Sequence, residues 1–231
     1  MRAFFINPNM LIHEFNEIAK NAQKKAFITI GIEIQKDEVQ TLTQHQEKYK
    51  KLRLKCAGKN FENDANLLYC IENSFVTIRH ELQMLINIKE DNMDEAWANL
   101  VNAQVIYGTV VRNSPIELIT ANGYLERLAS YERLLFPVLY FQSMGGIIKK
   151  STCSICGQNF NKCVHIRGRL YNGELCYREI VEFELEEVSL VETPANKHAR
   201  ALTIQHNGKN VDVMTLREKP QIEKSDNDEN T

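Results

Sequence analysis

Five strong metal donors fall within one short stretch: Cys153-Ser-Ile-Cys156, then Cys163-Val-His165, then Cys176. No other feature constrains the fold as much. Zinc takes Cys sulfur and His nitrogen tetrahedrally, and a C-x2-C turn lets two thiolates reach one ion. The surrounding segment must therefore wrap around a point. Gly157 follows the second cysteine and supplies the freedom such a knuckle needs. Cys163 and His165 occupy alternate positions of an extended segment and can face the same ion. The first expected set is Cys153, Cys156, Cys163 and His165. A competing set puts Cys176 in place of Cys163, because Tyr171-Asn-Gly173 reads as a hairpin turn that returns the chain to the knuckle. The sequence leaves that choice open.

The cluster reads as a structural zinc site. A catalytic zinc keeps one position open beside an acid or base. Here the donors fill every position. The deaminase pattern needs H-x-E followed by P-C-x-x-C, but Thr152 precedes Cys153 and the only His-x-Glu is His45-Gln46-Glu47. His13-Glu14 and His80-Glu81 lack the second histidine of a zinc-protease helix. A redox C-x2-C normally opens a helix after a strand. The turn residues and the Cys-His continuation here fit a staple better, and iron-sulfur ligation is a lesser alternative.

The rest of the chain reads mainly as helices. Leu11, Phe15, Ile18 and Ala22 recur at helical spacing behind Pro8. Phe27 to Ile34 alternates isoleucine with smaller or polar residues, which predicts a strand, although Phe27, Ile30 and Ile34 would also suit a helix. A charged helix is expected over residues 36–57, ending at Gly58. Phe61, Ala65, Leu68, Phe75, Ile78, Leu82 and Leu85 form a coiled-coil-like seam with Glu72 as its gap, expected to pack within the chain. Further helices are expected from Met93 to Val111, with Trp97 on the core face, and from the Ser114-Pro115 cap to about Leu135, with a break conceivable at Asn122-Gly123. Cys56 and Cys70 sit in these patterns as inert buried thiols.

Beyond Ser143 the chain becomes turn-rich, with strand candidates at 182–192, 201–204 and 211–216, the last two flanking His206-Asn207-Gly208. Residues 217–231 hold too little apolar surface to repay ordering and read as a disordered tail. The expected architecture is α+β, mostly α. A helical domain spans 1–142, a small zinc-stabilised β-rich module spans 143–216, and the tail follows.

Hydrophobic residues make up 43% of 231, enough for a core, and no apolar run reaches the roughly 18 residues a membrane span needs. With no secretory signal visible at the N-terminus, a cytoplasmic location is expected. The net charge of −2 excludes a protein that coats nucleic acid throughout. Two local basic runs stay open as phosphate contacts or as solvated faces: Lys48 to Lys59, and Lys149 to Arg178 with Tyr171 and Tyr177 interleaved.

Glu187-Val-Ser-Leu-Val191, Pro194-Ala195-Asn196 and Ala199 resemble a motif of phage prohead (head-maturation) serine proteases, in which a strand ends and a Pro-Ala-Asn turn follows. The likeness covers Glu187 to Arg200. That family's catalytic serine and histidine lie upstream on a β-rich domain, where this chain has helical patterns, so no catalytic residue carries over. What the resemblance implies is a phage or prophage setting. The donor cluster with its His165-Ile-x-Gly168-x-x-Tyr171-x-Gly173-x-x-Cys176 continuation also resembles a recurrent module of uncharacterised bacterial and phage proteins.

The sequence thus favours a non-enzymatic interaction or assembly protein with a structural zinc ion. Its partner would be another protein or a second copy, with no membrane involved. A nucleic-acid-binding zinc protein is the alternative, and a phage-maturation-type hydrolase comes third.

Overall fold

The computed structural model describes residues 6–115 and 121–219. Among these residues five α-helices come first: α1 (Pro8–Gln23), α2 (Ile32–Ala57), α3 (Glu62–Lys89), α4 (Met93–Asn113) and α5 (Ala121–Leu135). Six strands follow: β1 (Phe141–Cys153), β2 (Leu170–Tyr171), β3 (Glu174–Leu175), β4 (Arg178–Val191), β5 (Thr203–His206) and β6 (Lys209–Asp212). The strands pair antiparallel as β1-β4, β2-β3 and β5-β6. The chain is α+β and mostly α, with the helices preceding a small strand-rich part.

α3 is the axis of the helical body and packs against α1, α2 and α4. The seam expected from the sequence is its core face: Ala65, Leu68, Phe75, Ile78, Leu82 and Leu85 are buried, and Phe61 packs at the edge. Each large side chain there contributes about 1.5–3 kcal/mol of burial. Glu72, the gap in the apolar pattern, is filled electrostatically, for Arg53 of α2 donates to its carboxylate at 2.7 Å. At the start of the body, Asn7 caps α1 by accepting from the amide of Asn9, with Pro8 in the first turn.

The strand expected over Phe27 to Ile34 is not formed. Residues 27–30 make a turn, and Ile32 and Ile34 belong to α2. Side chains remote from the alternating pattern decide this. Buried Gln35 donates to the carbonyls of Lys25 and Phe27, and Lys89 of α3 donates to the carbonyl of Ile30. Those acceptors would otherwise serve a strand partner. α2 ends at Gly58 as expected, but Gly58 keeps a right-handed conformation and Asn60 takes the positive φ of 57°. Ser114 closes α4 as its C-cap; residues 116–120, where the following helix was expected to begin, lie outside the described residues. α5 runs through Asn122-Gly123 unbroken.

Residues 141–153 form the long strand β1, where the chain was expected to be turn-rich from Ser143 onward and to belong to the helical domain before it. The Gly145-Gly146 and Lys149-Lys150 pairs hide its period of two. Its partner β4 contains the predicted strand at 182–192 except Glu192. Register shifts fall between Gly145 and Gly146 and around Lys150. At Gly146 any side chain would collide with the Glu184 carbonyl, since a Cβ would lie 2.1 Å from it. Glycine is therefore required there, and the Phe183 ring covers the space. The hairpin around Asn207-Gly208 forms, displaced from its expected bounds, and residues 213–215 are a turn.

The β1-β4 ribbon is anchored to the helical body at both ends. At one end Phe141 packs against Trp97 of α4 (ring centroids 6.0 Å apart), and the Trp97 indole donates to the Lys197 carbonyl at 2.9 Å. The Pro194-Ala195-Asn196 segment leads into this dock. Lys197 pairs with Glu132 of α5, and Arg200 pairs with Asp94 of α4. The other end is the Cys/His knuckle. Between the two, most side chains of the ribbon are exposed. Arg217 to Lys219, at the start of the expected tail, are fastened through Arg217–Asp91 and Lys219–Asp212 ion pairs, and residues 220–231 lie outside the described residues.

Candidate metal centre

β1 delivers Cys153 at its last position, and the chain turns immediately. The Gly157 amide donates to the Cys153 carbonyl at 2.8 Å, and Gly157 adopts φ +68°. This closes the knuckle and brings Cys156 round. A single 3-10 turn, Phe160–Lys162, then places Cys163 and His165 on an extended segment. The donor atoms of Cys153, Cys156, Cys163 and His165 all lie within 4.8 Å of one another and can hold a metal ion.

The separations test the fit. A tetrahedral zinc with bonds of about 2.3 Å to sulfur and 2.0–2.1 Å to nitrogen requires edges of about 3.8 Å between sulfurs and about 3.6 Å from sulfur to nitrogen. Cys156 Sγ and Cys163 Sγ lie 3.5 Å apart, and His165 Nδ1 lies 3.8 Å from Cys153 Sγ and 3.1 Å from Cys163 Sγ. These three separations are close to coordination spacing, and the others in the set lie within 4.8 Å.

Cys176 occupies a different place from the other donors. It is fully buried, and its Sγ lies 3.8 Å from that of Cys153. The Tyr171-Asn-Gly173 turn forms and joins β2 to β3, as the sequence predicts. From there the Cys176 amide donates to the Arg169 carbonyl, and its own carbonyl accepts from Gly168. Ser154 clasps the same segment, accepting from the Tyr177 amide at 2.9 Å and donating to the Leu175 carbonyl at 3.2 Å.

The thiols differ in acidity for reasons visible in this geometry. Desolvation raises Cys153, but the amides of Cys156 and Ile155 and the neighbouring Cys163 and Cys176 thiols outweigh it, so Cys153 falls to about 6. Desolvation, with the nearby sulfurs, pushes Cys163 and Cys176 up to about 11. Zinc binds cysteine as thiolate, so a cation entering the site releases protons.

Residues without a recognisable motif hold the centre in place. Tyr171 meets the His165 ring edge-on at 4.6 Å and accepts from the Ile166 amide through its hydroxyl. Asn113 of α4 donates to the Gly168 carbonyl and accepts from the Leu170 amide, and Asn66 of α3 accepts from the Gly173 amide at 2.7 Å. Arg53 donates to the Gly173 carbonyl at 2.8 Å, and Asn172 donates to the Ala57 carbonyl. Of these, the Tyr171-Asn-Gly173 turn and Gly168 are visible in the sequence, whereas Asn113, Asn66 and Arg53 are not. Gly173 needs its residue type. It takes φ +80° and packs so tightly on Ala65 and Arg53 that a Cβ would sit 3.1 Å from each. No family model, curated protein or solved structure matches this chain. The chemistry of the centre is therefore argued from its own geometry.

That geometry groups Cys163 with the expected set. Its Sγ approaches both Cys156 and His165, whereas the Cys176 Sγ approaches that of Cys153. With Cys176 outside that set, Cys176→Ser is expected to retain one metal per chain and lose about 10- to 100-fold in affinity, the scale of an outer partner. Cys163→Ser is expected to cost far more. Competition titration with a chromogenic chelator measures both, and the reverse ranking would put Cys176 in the set.

Proposed function

We propose that this chain is a non-enzymatic interaction or assembly protein in which a structural zinc ion fixes one end of an exposed β-ribbon to a helical body. The observation that carries the reading is the crowding of the centre. Four donors lie within 4.8 Å of one another and a fifth thiol lies 3.8 Å from one of them, which leaves no open position for a reacting water. The ion's place in the fold supports the same view. The knuckle's outer loop is stitched to α2, α3 and α4 by hydrogen bonds, so holding the knuckle also holds the ribbon. The Glu187–Arg200 resemblance suggests a phage or prophage setting, and the thiol-rich centre suits a reducing cytoplasm.

Nucleic acid is less well supported. Lys48 and Arg53, in the basic run of α2, are engaged with Glu14 and Glu72, and Lys149 pairs with Glu184. β4 presents glutamates at 179, 182, 184, 186 and 187 beside the second basic run. Native mass spectrometry of the chain purified without chelator tests the proposal. One zinc per chain and no bound nucleic acid is the expected result. A fully folded chain without metal, or a nucleic-acid complex that dissolves steeply with salt, would overturn it.

A further inference from the structure

The β1-β4 ribbon has two chemically different faces. Residues directly opposite in an antiparallel pair share a face. The pairs Gln142–Leu190, Met144–Val188, Gly146–Leu185 and Ile148–Phe183 therefore lie on one side, kept in phase by the extra residue Glu186. None of these paired residues carries a charge. The pairs Gly145–Glu187 and Ile147–Glu184 lie on the other side, where Lys149 meets Glu184. The uncharged face is open: exposure runs from 39% at Phe183 to 72% at Met144, with Leu185, Val188 and Leu190 between.

We infer that this face is covered by a second copy of the same chain, the two ribbons packing face to face about a two-fold axis. The inference rests on the assembly reading above and names its partner. Area is the first argument. The patch joins five large apolar residues, each more than a third exposed, which is of the several-hundred-Å² scale at the upper end of what a monomer leaves exposed. Two such patches meeting face to face approach the roughly 1,000 Å² at which specific interfaces begin. Charge is the second. Stacked sheets sit about 10 Å apart, and this arrangement turns both sets of glutamates outward. An approach through the reverse face would set glutamate against glutamate. The edges are a poor alternative, because register shifts interrupt the pairing and β4 carries five glutamates and β1 two lysines, which blunts both edges against strand addition. The partner's identity follows from self-complementarity: an uncharged patch meets its own copy without a like-charge clash and closes as a dimer.

Sedimentation velocity across a concentration series, with zinc stoichiometry measured on the same samples, tests this. The zinc-loaded wild-type chain is expected to sediment as a dimer. Val188→Arg on β4 and Met144→Arg on β1, both at exposed positions, are each expected to raise the dimer dissociation constant at least about tenfold while keeping the metal. Glu187→Gln on the reverse face is expected to leave the dimer intact. A zinc-loaded monomer at all concentrations would overturn the inference and leave the structural-zinc reading standing. A dimer indifferent to both arginine variants would also overturn it, and a chain without metal would instead count against the zinc reading.

Discussion

Cys153→Ser is expected to abolish metal binding and to melt the segment from Thr152 to Tyr177 while the helical body stays folded. The knuckle has little else to hold it. β2 and β3 are two residues each, and the buried apolar residues within that segment are Cys153, Leu170 and Cys176. A structural zinc site contributes an apparent 10–16 kcal/mol in small metal-dependent modules, far more than so thin a core supplies. Cys153 is also the donor the others lean on, lying near His165 and Cys176 and being the most acidic of the shifted thiols. The α1–α4 packing around Leu68, Phe75, Leu82 and Leu100 does not depend on it. Amide hydrogen exchange read by mass spectrometry is the measurement. Protection across 153–177 should fall at least about 1,000-fold, equivalent to roughly 4 kcal/mol. Helical circular dichroism should persist, and so should the emission of Trp97, which lies at the ribbon's other anchor. Cys56→Ser, at a buried thiol within α2, should leave the metal in place. A Cys153→Ser chain that keeps its knuckle protected would show that the metal is dispensable to the fold.

What could be read from the sequence follows from how local each determinant is. The donor cluster was legible because coordination restricts both residue type and spacing. α3 was legible because its apolar residues keep a 3-4 period over its whole length, and the turns at Asn172-Gly173 and Asn207-Gly208 because left-handed positions select their residues. β1 was hidden because two glycines and two lysines interrupt its alternation, and only β4, whose partner residues lie 25 to 50 positions downstream, makes it a strand. The turn at 27–31 was misread for a related reason. Its isoleucines alternate well, but Gln35 and Lys89 take the carbonyls. The surroundings of the metal centre were opaque in the same way. Asn66, Asn113 and Arg53 are ordinary helix-surface residues until the fold brings Gly168 to Gly173 against them.

Arg127→Met is expected to destabilise the helical body by about 3–5 kcal/mol at neutral pH, the usual cost of leaving a buried charge without its partner. Glu81 of α3 is fully buried, and both Arg127 (2.8 Å) and the Tyr124 hydroxyl (2.7 Å) of α5 donate to its Oε2. This is the polar contact that ties α5 to α3 across the core. Burial raises the Glu81 carboxyl above its ordinary range, with Arg127 the largest opposing influence. The sign of the pH dependence follows. A carboxyl whose folded pKa is raised binds its proton more tightly in the native state, so its contribution is full below the unfolded value and is lost as pH rises through the folded one. Removing Arg127 raises the carboxyl further, so the variant's deficit should shrink on acidification from pH 7 toward pH 5 as Glu81 becomes neutral. Pairing the change with Glu81→Leu removes the orphaned charge, and the double variant should be more stable than Arg127→Met alone. Urea denaturation at the two pH values measures all of this. A deficit that stays constant with pH, or a double variant as weak as the sum of the singles, would mean that Arg127 acts by packing on the Tyr124 ring, 4.7 Å from its guanidinium, and not by holding the charge of Glu81.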